Sequence, residues 1–123
     1  MKALIYDTSG QEIFNSISKN YMRQGDGVFI VYDITDTKSY DSVEYWVTQI
    51  KELRADNPFI CIVGNKADLE DQRAINLEVG KKFAESVGAS FMETSCKNIL
   101  SIEQAFSIAI KQAYTLKIEK ETE

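Results

Sequence analysis

Apolar residues along the chain gather into four short runs, each rich in β-branched or aromatic side chains and each closing on a polar or glycine-containing turn. These runs, residues 3–6, 28–32, 59–63 and 90–93, predict strands. Between them the apolar period changes to that of a helix. Val43, Trp46, Val47, Ile50 and Leu53 recur at helical spacing, with Asp36 or Thr37 as the N-cap and Asn57-Pro58 as the stop. Val79, Phe83, Ala84 and Val87 repeat the pattern, and Gly88 stands where a left-handed C-terminal cap belongs. Ile102, Ala105, Phe106, Ala109, Ile110 and Ala113 form the strongest stripe. Strands alternating with helices of this length require right-handed crossovers, so the expected class is α/β: a mainly parallel sheet with helices on both faces. Residues 1–123 are expected to make a single domain, with 115–123 a frayed helix end.

Composition narrows the chemistry. The chain has 123 residues, 14 basic against 19 acidic, and a net charge of −5. No basic cluster provides a phosphate-backbone footprint, so nucleic acid is not expected as a partner. The two cysteines, Cys61 in an apolar run and Cys96 in a polar turn, suggest neither a disulfide framework nor a zinc site, which fits a cytoplasmic setting. The first residues are too weakly apolar for a signal peptide, and no run is long enough to span a bilayer. Histidine is absent, which removes the commonest general base and most metal-ligand schemes. Chemistry must then come from carboxylates, amides, hydroxyls or lysine.

In an open parallel sheet, ligands bind at the carboxyl ends of the strands. Polar clusters follow three of the four runs there: Asp7-Thr8-Ser9-Gly10-Gln11-Glu12, Asn65-Lys66-Ala67-Asp68 and Thr94-Ser95-Cys96-Lys97. Alone, Asp-x-x-Gly is more often an ordinary turn after a strand. Asn65-Lys66-x-Asp68 is sharper, because a carboxylate accepts two parallel N–H bonds from the N1 and exocyclic amino groups of guanine, a pair that adenine does not offer. Its bland alternative is a capping turn before a helix. Ser95-Cys96-Lys97 by itself reads equally well as a helix-start loop.

Taken in this order, these motifs resemble the small GTPases of the Ras and Rab type. The resemblance covers the chain from Lys2 to about Tyr114 and includes Tyr21-Met22-Arg23, Val31-Tyr32-Asp33-Ile34-Thr35 and Lys38-Ser39-Tyr40. It implies a P-loop NTPase G-domain-like fold that here lacks its first two strands and first helix. It also implies GTP or GDP as ligand and Mg²⁺ as cofactor. By position, Asp7 matches the residue that approaches Mg²⁺ through water, Gly10 the amide that senses the γ-phosphate, and Gln11 the catalytic glutamine that orients the attacking water. Asp68 matches the guanine-specificity carboxylate, with Asn65 and Lys66 beside it, and Ser95, Cys96 and Lys97 match the second base-side loop. Cys96 and Ser9 stand where the family usually has alanine; the family contact at Cys96 is a backbone N–H. Residues 8–22, which open on Thr8 and close on Met22, resemble the switch segment that meets regulators and effectors.

The sequence contains no Gly-x-x-x-x-Gly-Lys-Ser/Thr string. Gly80-Lys81-Lys82 does not substitute, since Ile75 occupies the first glycine position, Lys82 the hydroxyl position, and the stretch lies within a helical stripe. The first switch is missing too. Hydrolysis is therefore expected to be weak or lost, and whether the chain is an enzyme stays open. In the family the strand leading to the phosphate loop lies between those ending at Asp7 and Asp33, so the resemblance implies that these two would lack that neighbour within residues 1–123. The chain ends Glu-Thr-Glu with no cysteine after Cys96, so no lipid anchor is evident. Competing with a guanine-nucleotide-binding protein are a non-catalytic GTPase-like interaction module and a fragment of a longer GTPase.

Overall fold

The computed structural model describes residues 27–55, 58–95 and 97–121. The expected strand over residues 3–6 and the switch segment over 8–22 lie outside them. Three strands form one parallel sheet in the order β1 (Gly27–Asp33), β2 (Phe59–Asn65), β3 (Ser90–Glu93). The helices are α1 (Thr37–Leu53), α2 (Leu77–Val87) and α3 (Ile99–Glu121), with a 3₁₀ turn at Glu70–Gln72. Each described strand covers its expected apolar run, β1 and β2 adding polar or glycine residues at their ends.

Strand β2 is the middle one, and its sequence shows why. Ile60, Cys61, Ile62, Val63 and Gly64 are all buried, the continuous apolar pattern of a strand covered on both faces. Strand β1 alternates instead: Ile30 and Tyr32 point into the core while Val31 is 58% exposed. Ile30, Tyr32, Ile60 and Ile62 pack with Val43, Val47 and Ile50 of α1 and Ala84 of α2 on one face. On the other face lies α3, which buries Ala105 and Ala109 and brings Phe106 edge-on to Phe29 with ring centres 5.0 Å apart. The sheet therefore has helices on both faces.

Local signals place the helix ends. Asp36 is extended and its carboxylate accepts the Lys38 N–H at 3.0 Å, so of the two candidate caps Asp36 serves. Helix α1 ends at Leu53, short of Asn57-Pro58, because the next positions on the apolar stripe are Arg54 and Asn57. Gly88 closes α2 at φ +74°, and its N–H and that of Ala89 return to the last carbonyls.

Candidate functional site

The carboxyl ends of the three strands fall at Asp33, Asn65 and Glu93, and register brings them together: Asp33 pairs with Asn65, and Gly64 with Glu93. Beyond these ends the loops after β2 and β3 are tied into one surface. The Ala67 N–H donates to Thr94 O (3.0 Å), the Thr94 N–H to Gly64 O (2.9 Å), and the Thr94 hydroxyl to Asn65 Oδ1 (3.1 Å). Asn65 is thus a brace between strands.

Asp68 sits at the tip. The Ser95 hydroxyl donates to its Oδ1 at 2.6 Å, and Lys97 Nζ lies 3.5 Å from its Oδ2. The Ser95 oxygen also accepts the Lys97 N–H (3.1 Å), and the Ser95 N–H is received by Ser101 Oγ (3.3 Å). The Ser95 hydrogen bond, with further help from backbone and Lys97, holds the Asp68 carboxyl below the usual aspartate range. Asp68 is consequently ionised near neutral pH, an acceptor only, and each oxygen retains further lone pairs for an incoming N–H.

Lys66 has φ +66°, the one positive φ at a non-glycine position among the described residues. Such a backbone costs on the order of 1–2 kcal/mol and persists where its surroundings impose it. Here the Leu69 N–H closes the turn onto Lys66 O (2.9 Å), and Lys66 Nζ meets Asp33 Oδ2 at 2.7 Å. Asp33 is itself fixed, since the Thr35 N–H (2.8 Å) and hydroxyl (2.6 Å) both donate to its Oδ1. The Lys66 ammonium foremost, with Thr35, draws the Asp33 carboxyl down to about 2. Lysine and carboxylate together anchor the loop after β2 to the end of β1.

Of the sequence-predicted site residues, the structure brings together Asn65, Lys66, Asp68, Ser95 and Lys97. Asp7, Gly10, Gln11 and Cys96 lie outside the described residues, and with them the Mg²⁺ assignment, which rests on Asp7. Among the described residues no group of three His, Cys, Asp or Glu side chains could hold a metal ion, and no helix is long and apolar enough to cross a membrane. Two contributors stand inside motifs that gave them no role at the site. Asp33 ends β1 on the same edge as the polar clusters, which is signal enough to include it. Thr94 opens one of those clusters, yet its bridging role depends on strand register. A shallow groove lined by Phe59, Ser90, Lys111 and Leu116 lies at the opposite, amino ends of β2 and β3 and contains none of these residues.

A profile described as "Ras family" matches residues 1–115. The chain belongs to the Ras family. Its relatives among these small GTPases include "Ras-related protein RABD2a" of Arabidopsis thaliana, 44% identical over 115 residues, covering 91% of this chain and 57% of the relative. "GTP-binding protein ypt2" of Schizosaccharomyces pombe is 36% identical over 123 residues, covering 100% of this chain and 62% of the relative. "GTP-binding protein YPTM2" of Zea mays is 42% identical over 106 residues, covering 86% and 52%. This Ras-family chain thus spans a little over half the length of the curated relatives it matches.

Proposed function

We propose that this chain recognises the guanine base of GTP or GDP through the paired loops 65–68 and 94–97, as part of a small GTPase. The observation that carries the reading is the ionised Asp68 carboxylate, held from the side by Ser95 and Lys97, with lone pairs left for a bidentate donor. Guanine presents N1–H and N2–H side by side; adenine does not. Asn65 ties the two loops, and in this reading the aliphatic stem of Lys66 would cover a base face. Phosphate handling, Mg²⁺ and water orientation belong in this reading to Asp7, Gly10 and Gln11, Cys96 would lend its backbone N–H to the base, and residues 8–22 would meet regulators.

The test is a thermal melt with Mg²⁺ and GDP, GTP or ADP, run beside Asp68→Ala, because a ligand of the native state raises its stability. The reading expects a rise with GDP and GTP, none with ADP, and loss of the rise in the variant. A rise with ADP equal to that with GDP, or no rise with any nucleotide, overturns it.

A further inference from the structure

Five residues beyond Asp68, across the 3₁₀ turn Glu70–Gln72, stands an arginine that none of the motifs includes. Arg73 directs its guanidinium at Glu93, the last residue of β3, in a fork: Nη1 to Oε2 and Nη2 to Oε1, both 2.8 Å. Its remaining donors are also used, Nη1 toward Ile75 O (3.0 Å) and Nε toward both Glu70 oxygens (3.0 Å). The side chains of Arg73 and Glu93 are 14% and 11% exposed. Ion pairs largely withdrawn from solvent add little net stability over an apolar pair of the same shape, and their best-attested role is to fix one geometry among several. The question is which geometry this pair fixes.

Arg73 lies in the same β2–α2 loop as Asp68, just past the 3₁₀ turn, and Glu93 stands two residues before Ser95. The same two loops meet again at their tips, where the Ser95 hydroxyl donates to Asp68 at 2.6 Å. On the β2 side of Asp68 the two loops also share a backbone rung, Ala67 N–H to Thr94 O. On its other side the loop after Asp68 is held to the end of β1, as the Ala74 and Ile75 N–H groups both reach Ile34 O at 2.7 and 3.0 Å. The Arg73 fork is thus the side-chain link between the root of the Asp68 loop and β3.

We propose that Arg73 and Glu93 form a positioning clasp that sets the separation of the Asp68 and Ser95 loops, and with it the aim of the Asp68 carboxylate. For its consequence on nucleotide binding this deepens, and rests on, the base-recognition reading. A lysine in place of Arg73 keeps the charge but offers a single point in place of a planar fork. Loss of the fork lets the loop root move, and the Ser95–Asp68 bond lengthens at the tip.

The experiment follows the Asp68 carboxyl by carbon-13 NMR titration in the full chain and in Arg73→Lys, Glu93→Gln and the exchange Arg73→Glu/Glu93→Arg, with thermal melts alongside. The clasp predicts that Arg73→Lys raises the Asp68 midpoint toward that of an ordinary aspartate. Glu93→Gln does the same, although removing a negative charge would by Coulomb's law alone lower it. The exchange restores part of the original value. Falling melting temperatures with an unchanged Asp68 midpoint overturn the proposal, because the pair would then be structural only. Should Arg73→Lys not fold, Glu93→Gln decides by the same readout. A second arm compares GDP with IDP, which lacks the amino group that a well-aimed Asp68 receives; the preference for GDP falls roughly tenfold in Arg73→Lys, the size of about one hydrogen bond. If the Asp68 midpoint moves as expected and the unmodified chain binds neither nucleotide, the clasp stands and the base-recognition reading falls. If the unmodified chain prefers GDP and the preference survives in both single variants, the clasp has no functional part.

Discussion

Gly80 lies inside α2, where glycine costs roughly 1 kcal/mol against alanine, so on propensity alone Gly80→Ala should stabilise the fold. The packing reverses the sign. A Cβ there would stand 2.5 Å from Tyr32 Oη and 2.7 Å from Phe91 Cε1, where carbon contacts want about 3.5–4.0 Å. Tyr32 cannot retreat easily, being 2% exposed with its ring edge-on against Tyr40 at 5.2 Å, and Phe91 is packed against the same core. Forcing a methyl into such a core costs about 1–3 kcal/mol, which leaves a net loss of about 1 kcal/mol, or about 4 °C in melting temperature for a domain of this size. The same contact predicts a partner effect. Tyr32 Oη is buried with no hydrogen-bond partner among the described residues, and burial pushes its pKa up to about 12, so it stays a protonated, unmatched hydroxyl. Tyr32→Phe removes that atom, gains about 1 kcal/mol, and opens part of the space that the new methyl at position 80 needs. Denaturant melts of both single variants and the double should then show the double more stable than the sum of the two effects, by roughly 0.5 kcal/mol or more. A higher melting temperature for Gly80→Ala, or strict additivity, refutes the argument.

Three other outcomes follow from single contacts. Gly88→Ala places a side chain at φ +74° with no neighbouring atom within 4 Å, so its cost is backbone strain alone, about 1 kcal/mol, and Gly88→Asn should cost less on the same melt. Asp36→Ala removes the α1 cap and should cost about 1 kcal/mol, whereas Asp36→Asn or Asp36→Ser should retain most of it. Asp33, held down to about 2 by Lys66 and Thr35, contributes stability that is full above pH about 4 and is lost as pH falls through about 2; carbon-13 titration of its carboxyl should find the low midpoint, and a midpoint near 4 would mean that the Lys66 pair does not form.

How much of this was written in the sequence differs by element. Strand β2 was legible because a strand covered on both faces is a continuous apolar run, and Asp36 and Gly88 because caps demand particular residues at particular φ. The α3 stripe was visible, yet only Ala105 and Ala109 are deeply buried and Phe106 keeps 37% exposure, since periodicity names a face and not how much of it is covered. That the loops carrying Asn65, Lys66, Asp68, Ser95 and Lys97 end on one edge of the sheet was legible from their places after the strands. Their supports were not. Arg73 and Glu93 are 20 residues apart and Lys66 and Asp33 are 33 apart, and such pairs are made by strand register, which no local pattern records.

The most direct test of the central claim separates base from phosphate. Two-dimensional amide NMR of the full chain during titration with GMP, and separately with AMP, asks whether the loops after β2 and β3 recognise guanine on their own. The account predicts that GMP shifts the amides of residues 65–68 and 94–97, that AMP leaves them in place, and that Asp68→Ala abolishes the GMP response. Equal shifts with both nucleotides, or shifts confined to residues away from those two loops, would contradict it.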